Sequence, residues 1–235
     1  MKNAATPSYD ATALGARVQP APHAKHAPSF FANLDWPTSQ TKVLDSALVL
    51  FDRQGYFNTS IADLVAHSGV SSGSIYHAFG DKETIARRLM EALLAQLEQA
   101  QQAIIRRHDT GWERFSHLVD WMMQEAITHP HAMRFILQAR HQEFLPEQPP
   151  VCAQQPFVTL REVLAQAQKA DEIASMPTMQ AAALAYGPVL RWIQFYLDGL
   201  LPGLVKNDWE NLAHQAWQNL VNSNPCPWHE TKEQA

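Results

Sequence analysis

The sequence predicts an all-helical protein in which a helix-turn-helix precedes a larger helical domain. Three observations favour this fold. From residue 38 onward apolar residues recur at three- and four-residue spacing, Gly and Pro separate these stretches, and alternating runs rich in Val, Ile and Thr are missing. We therefore expect about nine helices and no sheet.

The composition is that of an ordinary globular protein. The 235 residues are 46% hydrophobic and 17% charged, which suffices for a substantial core. Cys152 and Cys226 have no paired spacing, which argues against a disulfide framework and against a zinc site. No apolar run reaches the roughly 18 residues that span a bilayer, and residues 1–37 lack the apolar segment of a signal peptide. We expect a cytoplasmic protein with no cofactor, metal or membrane partner.

The first 37 residues differ from the rest of the chain. They contain five of the 15 prolines, many alanines and no sustained periodicity, so we expect a flexible arm outside the core. Arg17, His23, Lys25 and His26 would allow this arm to touch a DNA groove, although a solvated tail is the interpretation we favour.

Local signals define the first two helices. The helical period begins at Thr38, and Gly55 is placed to end the first helix. A second, short helix is predicted over residues 59–67. Ser60 and Asp63 have the spacing of a capping box, which fixes its beginning.

The next two helices follow without a long loop. Residues 68–71 form a tight turn, and Ser71 can cap a third short helix that ends near Phe79. Asp81 can cap a fourth, long helix over residues 82–108. Prolines and glycines delimit five more helices, predicted at 111–128, 130–143, 154–170, 178–200 and 208–222.

Two short helices joined by a Gly-containing turn and preceded by a packing helix are typical of a helix-turn-helix. The turn lets the third helix lie across the second, so that its N-terminal half can enter a major groove about 12 Å wide. Residues 38–88 carry five basic and five acidic side chains, and the net charge of -5 arises mainly beyond them. Affinity for DNA must therefore depend on helix N-termini, hydroxyls and local cations more than on bulk positive charge.

The segment 59–83, TSIADLVAHSGVSSGSIYHAFGDKE, closely resembles the DNA-binding segment of the TetR family of bacterial regulators. The resemblance includes Phe51 and Gly55 and extends over about residues 40–90. It implies an all-helical homodimer that binds a near-palindromic operator and represses transcription until a small molecule releases it. Ala78 departs from the family pattern, which often has His or Tyr there, and this change could remove one phosphate contact.

The resemblance also assigns contacts with double-stranded DNA. The alternative for several of these residues is purely structural, because Ser and Thr at helix starts serve as caps and a Tyr can lie half in the core. Phosphate contacts are expected from Thr59, Ser60, Tyr76, His77 and Lys82. Base edges are expected to meet the start of the third helix, at Ser72, Gly73 and Ser74, and Ser71 just before it is a further predicted DNA contact.

Beyond about residue 90 the resemblance fades. The family places its ligand pocket in this C-terminal part, and we select residues that combine apolar walls with polar groups. The histidines near Glu125 lack the spacing of metal ligands on one helix face, so no metal site is predicted. The expected ligand-binding residues are Trp121, Glu125, Phe135, Arg140, His141 and Tyr186.

The last two predicted helices are apolar on several faces. Such helices must be buried on more than one side, and a second copy of the chain is a natural cover. We therefore expect a two-fold interface of four helices. Its predicted residues are Trp192, Phe195, Tyr196, Gly199, Leu200, Trp209, Leu212, Ala213, Ala216, Trp217 and Leu220.

Two other functions are weighed against a ligand-released repressor. An enzyme is disfavoured, because the sequence contains no nucleophile elbow, phosphate-binding loop, dinucleotide fingerprint or HExxH pair. A DNA-binding regulator that answers to a protein partner, or acts constitutively, stays open, as does activation rather than repression. The predicted organisation is a flexible arm (1–37), a helix-turn-helix domain (38–84), a ligand-binding and dimerisation domain (85–222) and an irregular tail (223–235).

Overall fold

The computed structural model describes residues 29–31 and 35–221, and this part of the chain forms ten α-helices and no strand. The all-helical prediction is confirmed. A short 3₁₀ turn, Val151–Ala153, precedes the eighth helix. The helices are α1 (Thr38–Gln54), α2 (Ile61–Ser68), α3 (Ser72–Phe79), α4 (Lys82–Ile105), α5 (Gly111–Thr128), α6 (Pro130–Gln138), α7 (His141–Phe144), α8 (Gln155–Lys169), α9 (Thr178–Leu197) and α10 (Lys206–Val221).

One predicted helix is divided in two. The expected helix at 130–143 ends at Gln138, because Ala139 adopts an extended conformation with φ -67° and ψ 141°. The break turns α7 so that Phe144 stacks on Tyr56, with ring centroids 4.5 Å apart. No Gly or Pro marks this break, so tertiary packing decides it rather than local sequence.

The beginning of α5 is held by two carboxylates. Thr110 and Glu113 form a capping box, as their spacing favours. The carboxylate of Glu172, in the loop after α8, also accepts the backbone N–H groups of Gly111 at 2.9 Å and Trp112 at 3.2 Å. This contact ties the loop to a helix end whose unpaired N–H groups favour negative charge.

The N-terminal core contains more of the chain than the sequence indicated. Phe31 is completely buried in the core that α1 to α4 form, and the ring of Phe30 meets His129 edge-on at 5.1 Å. The interpretation of residues 1–37 as an arm outside the core is therefore wrong at residues 29–31, because two adjacent aromatic side chains find apolar cover there. Residues 1–28, 32–34 and 222–235 lie outside the described part, and with them the predicted tail.

The C-terminal core lies among α5, α8, α9 and α10. The apolar stripe of α10 packs against α5 and α9 of the same chain. Its burial is therefore explained within one protomer, so this stripe does not require the partner subunit that the sequence analysis took as its natural cover. The residues concerned are Trp209, Ala213, Ala216, Trp217 and Leu220, all of them buried.

Helix α6 joins the two cores. Ala132, Phe135 and Ile136 belong to the N-terminal core, whereas Met133 belongs to the C-terminal one. The predicted helix-turn-helix is thus packed directly on a helix of the larger domain, and a boundary at residue 84 does not separate two cores. None of the helices described is long and apolar enough to cross a membrane.

Candidate nucleic-acid interface and effector cavity

Helix α2 begins at Ile61, two residues later than predicted, and ends at Ser68, one residue later than predicted. The Ser60 hydroxyl accepts the backbone N–H of Asp63 at 3.1 Å, and the Asp63 carboxylate accepts that of Ser60 at 2.8 Å. These hydrogen bonds lower the pKa of Asp63 and complete the capping box. Gly69 ends the helix with φ 70°, a left-handed conformation that favours glycine.

Helix α3 presents most of its surface to solvent. Ser71 caps it by accepting the Ser74 backbone N–H at 3.2 Å. Only Ile75 and Phe79 are buried, and they hold the helix on the N-terminal core. The predicted DNA contacts Ser71, Ser72, Gly73, Ser74, Tyr76 and His77 are all exposed on this helix or at its start, Tyr76 by 53%.

Thr59 is placed differently from the prediction. Its side chain is buried, and its hydroxyl donates to the Gly55 carbonyl oxygen at 2.9 Å. This burial contradicts a phosphate contact by the Thr59 side chain, which instead fixes the loop between α1 and α2. Ser60, the next residue, is exposed as expected and has the capping role that was the structural alternative.

Lys82 is partly used inside the protein. Its ammonium group donates to the carbonyl oxygens of Tyr56 and Thr59, each at 2.9 Å, and lies 4.2 Å from the centre of the Tyr56 ring. Partial burial lowers the pKa of Lys82. An ammonium group has three donors, so one remains for a phosphate, and that contact stays a prediction.

A polar network connects the helix-turn-helix to the larger domain. Asp52, near the end of α1, accepts from His131 Nδ1 at 2.5 Å and from the Arg134 guanidinium at 3.3 Å, both on α6. Arg134 also donates to the Leu197 carbonyl oxygen at the end of α9, at 2.9 Å. The side chains of Asp52 and Arg134 are only 9% and 11% exposed. Sequence reasoning missed this network, and the only signal was the i, i+3 spacing of His131 and Arg134 on one helix.

A cavity of about 30 Å³ lies where α4, α5, α6, α8 and α9 meet. Among the residues described, its lining is apolar except for Gln101, which is 3% exposed. The Gln101 Oε1 atom has no hydrogen-bond partner in the described part of the chain. The sequence analysis did not select Gln101. The apolar walls include Leu97, Trp121, Met133, Leu137, Phe157 and Leu190.

The six predicted ligand-binding residues are not brought together. Trp121 lines the cavity, whereas Phe135 and Arg140 line a separate cleft of about 230 Å³ beside Tyr56. Glu125 accepts from His129 Nδ1 at 2.7 Å and lines neither space.

The other two predicted ligand residues are buried among aromatic rings. His141 lies 4.9 Å from the ring of Phe135, and burial lowers its pKa. The Tyr186 ring lies 5.2 Å from that of Phe115, and burial raises the pKa of its phenol. Of the six, Trp121 alone reaches the cavity that contains Gln101.

The remaining predicted interface residues are more accessible than those on α10's apolar stripe. Leu200 is exposed by 49%. The other five are half-buried: Trp192, Phe195, Tyr196, Gly199 and Leu212.

Known proteins match this chain in its N-terminal domain and in its fold. The model of the family described as "Bacterial regulatory proteins, tetR family" matches residues 43–89. The HTH-type transcriptional repressor KstR2 of Rhodococcus jostii is 34% identical over 58 residues, which is 25% of this chain and 28% of that protein. The chain thus spans about a quarter of the length of the first curated relatives it matches.

Solved structures extend the likeness to most of the chain. A TetR family transcription regulator from Marinobacter aquaeolei is 16% identical with a TM-score of 0.68, over 79% of this chain and 96% of that one. FadR of Bacillus subtilis, solved with stearoyl-CoA, is 16% identical with a TM-score of 0.63, over 78% and 98%. At this identity they show a shared fold. Residues 43–89 thus resemble the tetR family of bacterial regulatory proteins, as the motif at residues 59–83 predicted, and most of the chain shares the fold of these solved structures.

Proposed function

We propose that this protein is a transcriptional repressor that binds a near-palindromic operator as a homodimer and is released by a small molecule. The observation that carries the proposal is the surface of α3. Six of its eight residues are exposed, on a helix that the N-terminal core fixes through Ile75 and Phe79. The description of KstR2 as a repressor supports the same direction of control.

Release by a ligand is supported by the position of α6. Met133, Ile136 and Leu137 of this helix line the cavity, and Arg134 of the same helix binds Asp52 of α1. A ligand that widens the cavity displaces α6 and thereby changes the orientation of the helix-turn-helix. FadR with stearoyl-CoA supports ligand binding in this fold. The cavity favours this function over a regulator without a small ligand.

The DNA interface is tested by removing an exposed side chain of α3. Tyr76→Ala is expected to weaken binding to DNA fragments selected from the source genome at least about tenfold, because contacts of about 1.4 kcal/mol or more in total are lost from the two half-sites. The melting temperature should not change, because Tyr76 lies outside the core. Fluorescence anisotropy with a labelled fragment measures the affinity.

Gln99→Ala provides the matched control for this experiment. Gln99 is exposed on α4 and is expected to leave operator affinity unchanged. If Tyr76→Ala and His77→Ala both bind as tightly as the wild type, the assignment of α3 as the reading helix is wrong. Lys82→Ala is unsuitable here, since it also removes the hydrogen bonds to Tyr56 and Thr59.

The homodimer is proposed to use the outer face of α9. Met179 is 63% exposed, and Ala183 and Gly187 follow it at four-residue spacing. A side chain added at Gly187 would meet no atom within 4 Å in the described chain, so this face is open to another helix. One copy of α9 can therefore pack closely against its symmetry mate.

Ala183→Arg is expected to convert the dimer to a monomer at micromolar concentration, because two like charges would face each other across the axis without counter-charges. Sedimentation velocity measures the change. The control Gln99→Arg adds the same charge on exposed α4 and should stay dimeric. A monomeric wild type would refute the dimer, and a dimeric Ala183→Arg protein would refute this face.

A further inference from the structure

Gln101 is a polar residue at a buried position of α4. It is 3% exposed, and its Oε1 has no partner in the described part of the chain. An unpaired buried amide oxygen destabilises a folded protein, and an apolar side chain of similar size would remove that cost. Polar groups retained at such a cost are typical of functional sites, where a ligand supplies the missing partner.

The surroundings of Gln101 exclude a charged ligand group. Trp121, Phe157 and Leu160 provide apolar walls, and no charged side chain of the described residues lines the cavity. An ion that entered would lose its hydration without gaining a counter-charge. The ligand must therefore be neutral where it lies in the cavity.

A nearby carboxylate strengthens the argument against an anion. Glu98 lies one turn before Gln101 on α4 and accepts hydrogen bonds from Thr159 Oγ1 at 2.9 Å and from Gln102 Nε2 at 2.7 Å. Its oxygens accept these hydrogen bonds and offer a ligand carboxylate no donor. A ligand carboxylate beside Gln101 would therefore pay a desolvation penalty without gaining a donor from Glu98.

The cavity must widen to take up a ligand. Its volume of about 30 Å³ is close to that of one water molecule. Met122 and Met133 line it, and unbranched methionine side chains change rotamer readily. The walls that move most easily thus lie on α5 and α6, and the site can open without a change in the backbone of α4.

We infer that the effector is an uncharged, largely apolar molecule with one hydroxyl or amide N–H group, which donates a hydrogen bond to Gln101 Oε1. This inference rests on the proposed function, in which the cavity is the effector site. It adds the chemical class of the ligand and the side chain that selects it.

Calorimetric titration of the protein with three probes that share a ten-carbon chain, each kept below its solubility limit, tests the inference. The probes are 1-decanol, which has a donor, decyl methyl ether, which has only an acceptor, and decanoate, which is charged. Decanol is expected to bind at least about tenfold more tightly than either of the others, because one hydrogen bond corresponds to about that factor.

Variants at Gln101 identify the selecting group. Gln101→Leu is expected to remove the preference for decanol over the ether, and Gln101→Met, which keeps the side-chain length, should do the same. Both should melt no lower than the wild type, because an unpaired polar group is removed. Gln99→Leu, an exposed change on the same helix, should retain the preference.

Three results would overturn the inference: decanoate binding as tightly as decanol, no binding by any probe, or a Gln101→Leu protein that still prefers decanol. Operator binding separates this inference from the proposed function. If decanol binds with the expected preference but does not release DNA, the inference stands and release by ligand fails. If Tyr76→Ala loses DNA binding while no probe binds, the DNA interface stands and the ligand class fails.

Discussion

Arg134→Met is expected to lower the free energy of unfolding by about 3 kcal/mol, because breaking a buried ion pair leaves an uncompensated charge. Asp52 would keep its hydrogen bond to His131 but lose the guanidinium, and the Leu197 carbonyl oxygen would lose its two guanidinium donors. Operator affinity should also fall, since Arg134 links the helix-turn-helix to the larger domain without facing DNA. Urea denaturation and fluorescence anisotropy measure the two effects.

Arg87→Met is the matched control, because it removes the same kind of side chain from a solvated pair. Arg87 and Glu83 are 41% and 53% exposed, and such pairs contribute about 0.5 kcal/mol or less. Equal losses of stability in the two variants would show that burial does not strengthen the Asp52 network. Unchanged operator affinity in Arg134→Met would show that the network has no part in orienting the helix-turn-helix.

Gly111→Ala is expected to lower the free energy of unfolding by about 3 kcal/mol, from overpacking and the loss of helix-capping bonds. The added Cβ would lie 2.6 Å from the Ala167 Cβ, 3.0 Å from Glu172 Oε2 and 3.2 Å from Trp217. Helix α5 would have to move away from α8, which weakens the bonds from its N-terminus to Glu172. Thermal and urea denaturation measure the loss.

Gly73→Ala tests the same substitution where space is open. Gly73 also lies in the first turn of a helix, and an added Cβ would meet no atom within 4 Å in the described chain. This variant should be more stable by about 0.5 kcal/mol, because alanine loses less conformational freedom on folding. A Gly111→Ala protein as stable as the wild type would mean that α5 and α8 can separate at little cost.

The helix-turn-helix could be predicted because its signals are local. Ser60 and Asp63 lie three residues apart, Gly69 ends the helix that they begin, and Ser71 caps the next one. Each of these contacts spans a few positions, so residue type and spacing are enough to specify it. The same local rules predicted α5 with both of its ends correct.

The proposed effector site could not be predicted in the same way. Gln101 lies in a stretch that includes Gln96, Gln99 and Gln102, so composition does not distinguish the buried glutamine from its neighbours. Gln101 lines an apolar cavity only because α5, α6, α8 and α9 pack around α4 at this position. The aromatic residues selected from the sequence are real core residues, but most of them face other parts of the core.

The interface predicted from the sequence differs from the α9 face proposed from the structure, and the reason is again tertiary packing. The sequence shows that the last two helices carry extended apolar surfaces, but it does not show which residues cover them. Trp209 and Trp217 pack within the same chain, so the open face is that of α9, around Ala183 and Gly187. Burial depends on neighbours distant in sequence, and a pattern along one helix cannot identify those neighbours.

The sequence by itself determined most of the helices, the helix-turn-helix and the exposed surface of α3, because caps, turns and helical period depend on residues within about four positions of each other. The tertiary structure alone decided the break after Gln138, the pairing of Asp52 with Arg134 and the burial of Gln101. These depend on contacts between residues far apart in the chain, where the free energy of a polar group is set by what surrounds it rather than by its neighbours in sequence.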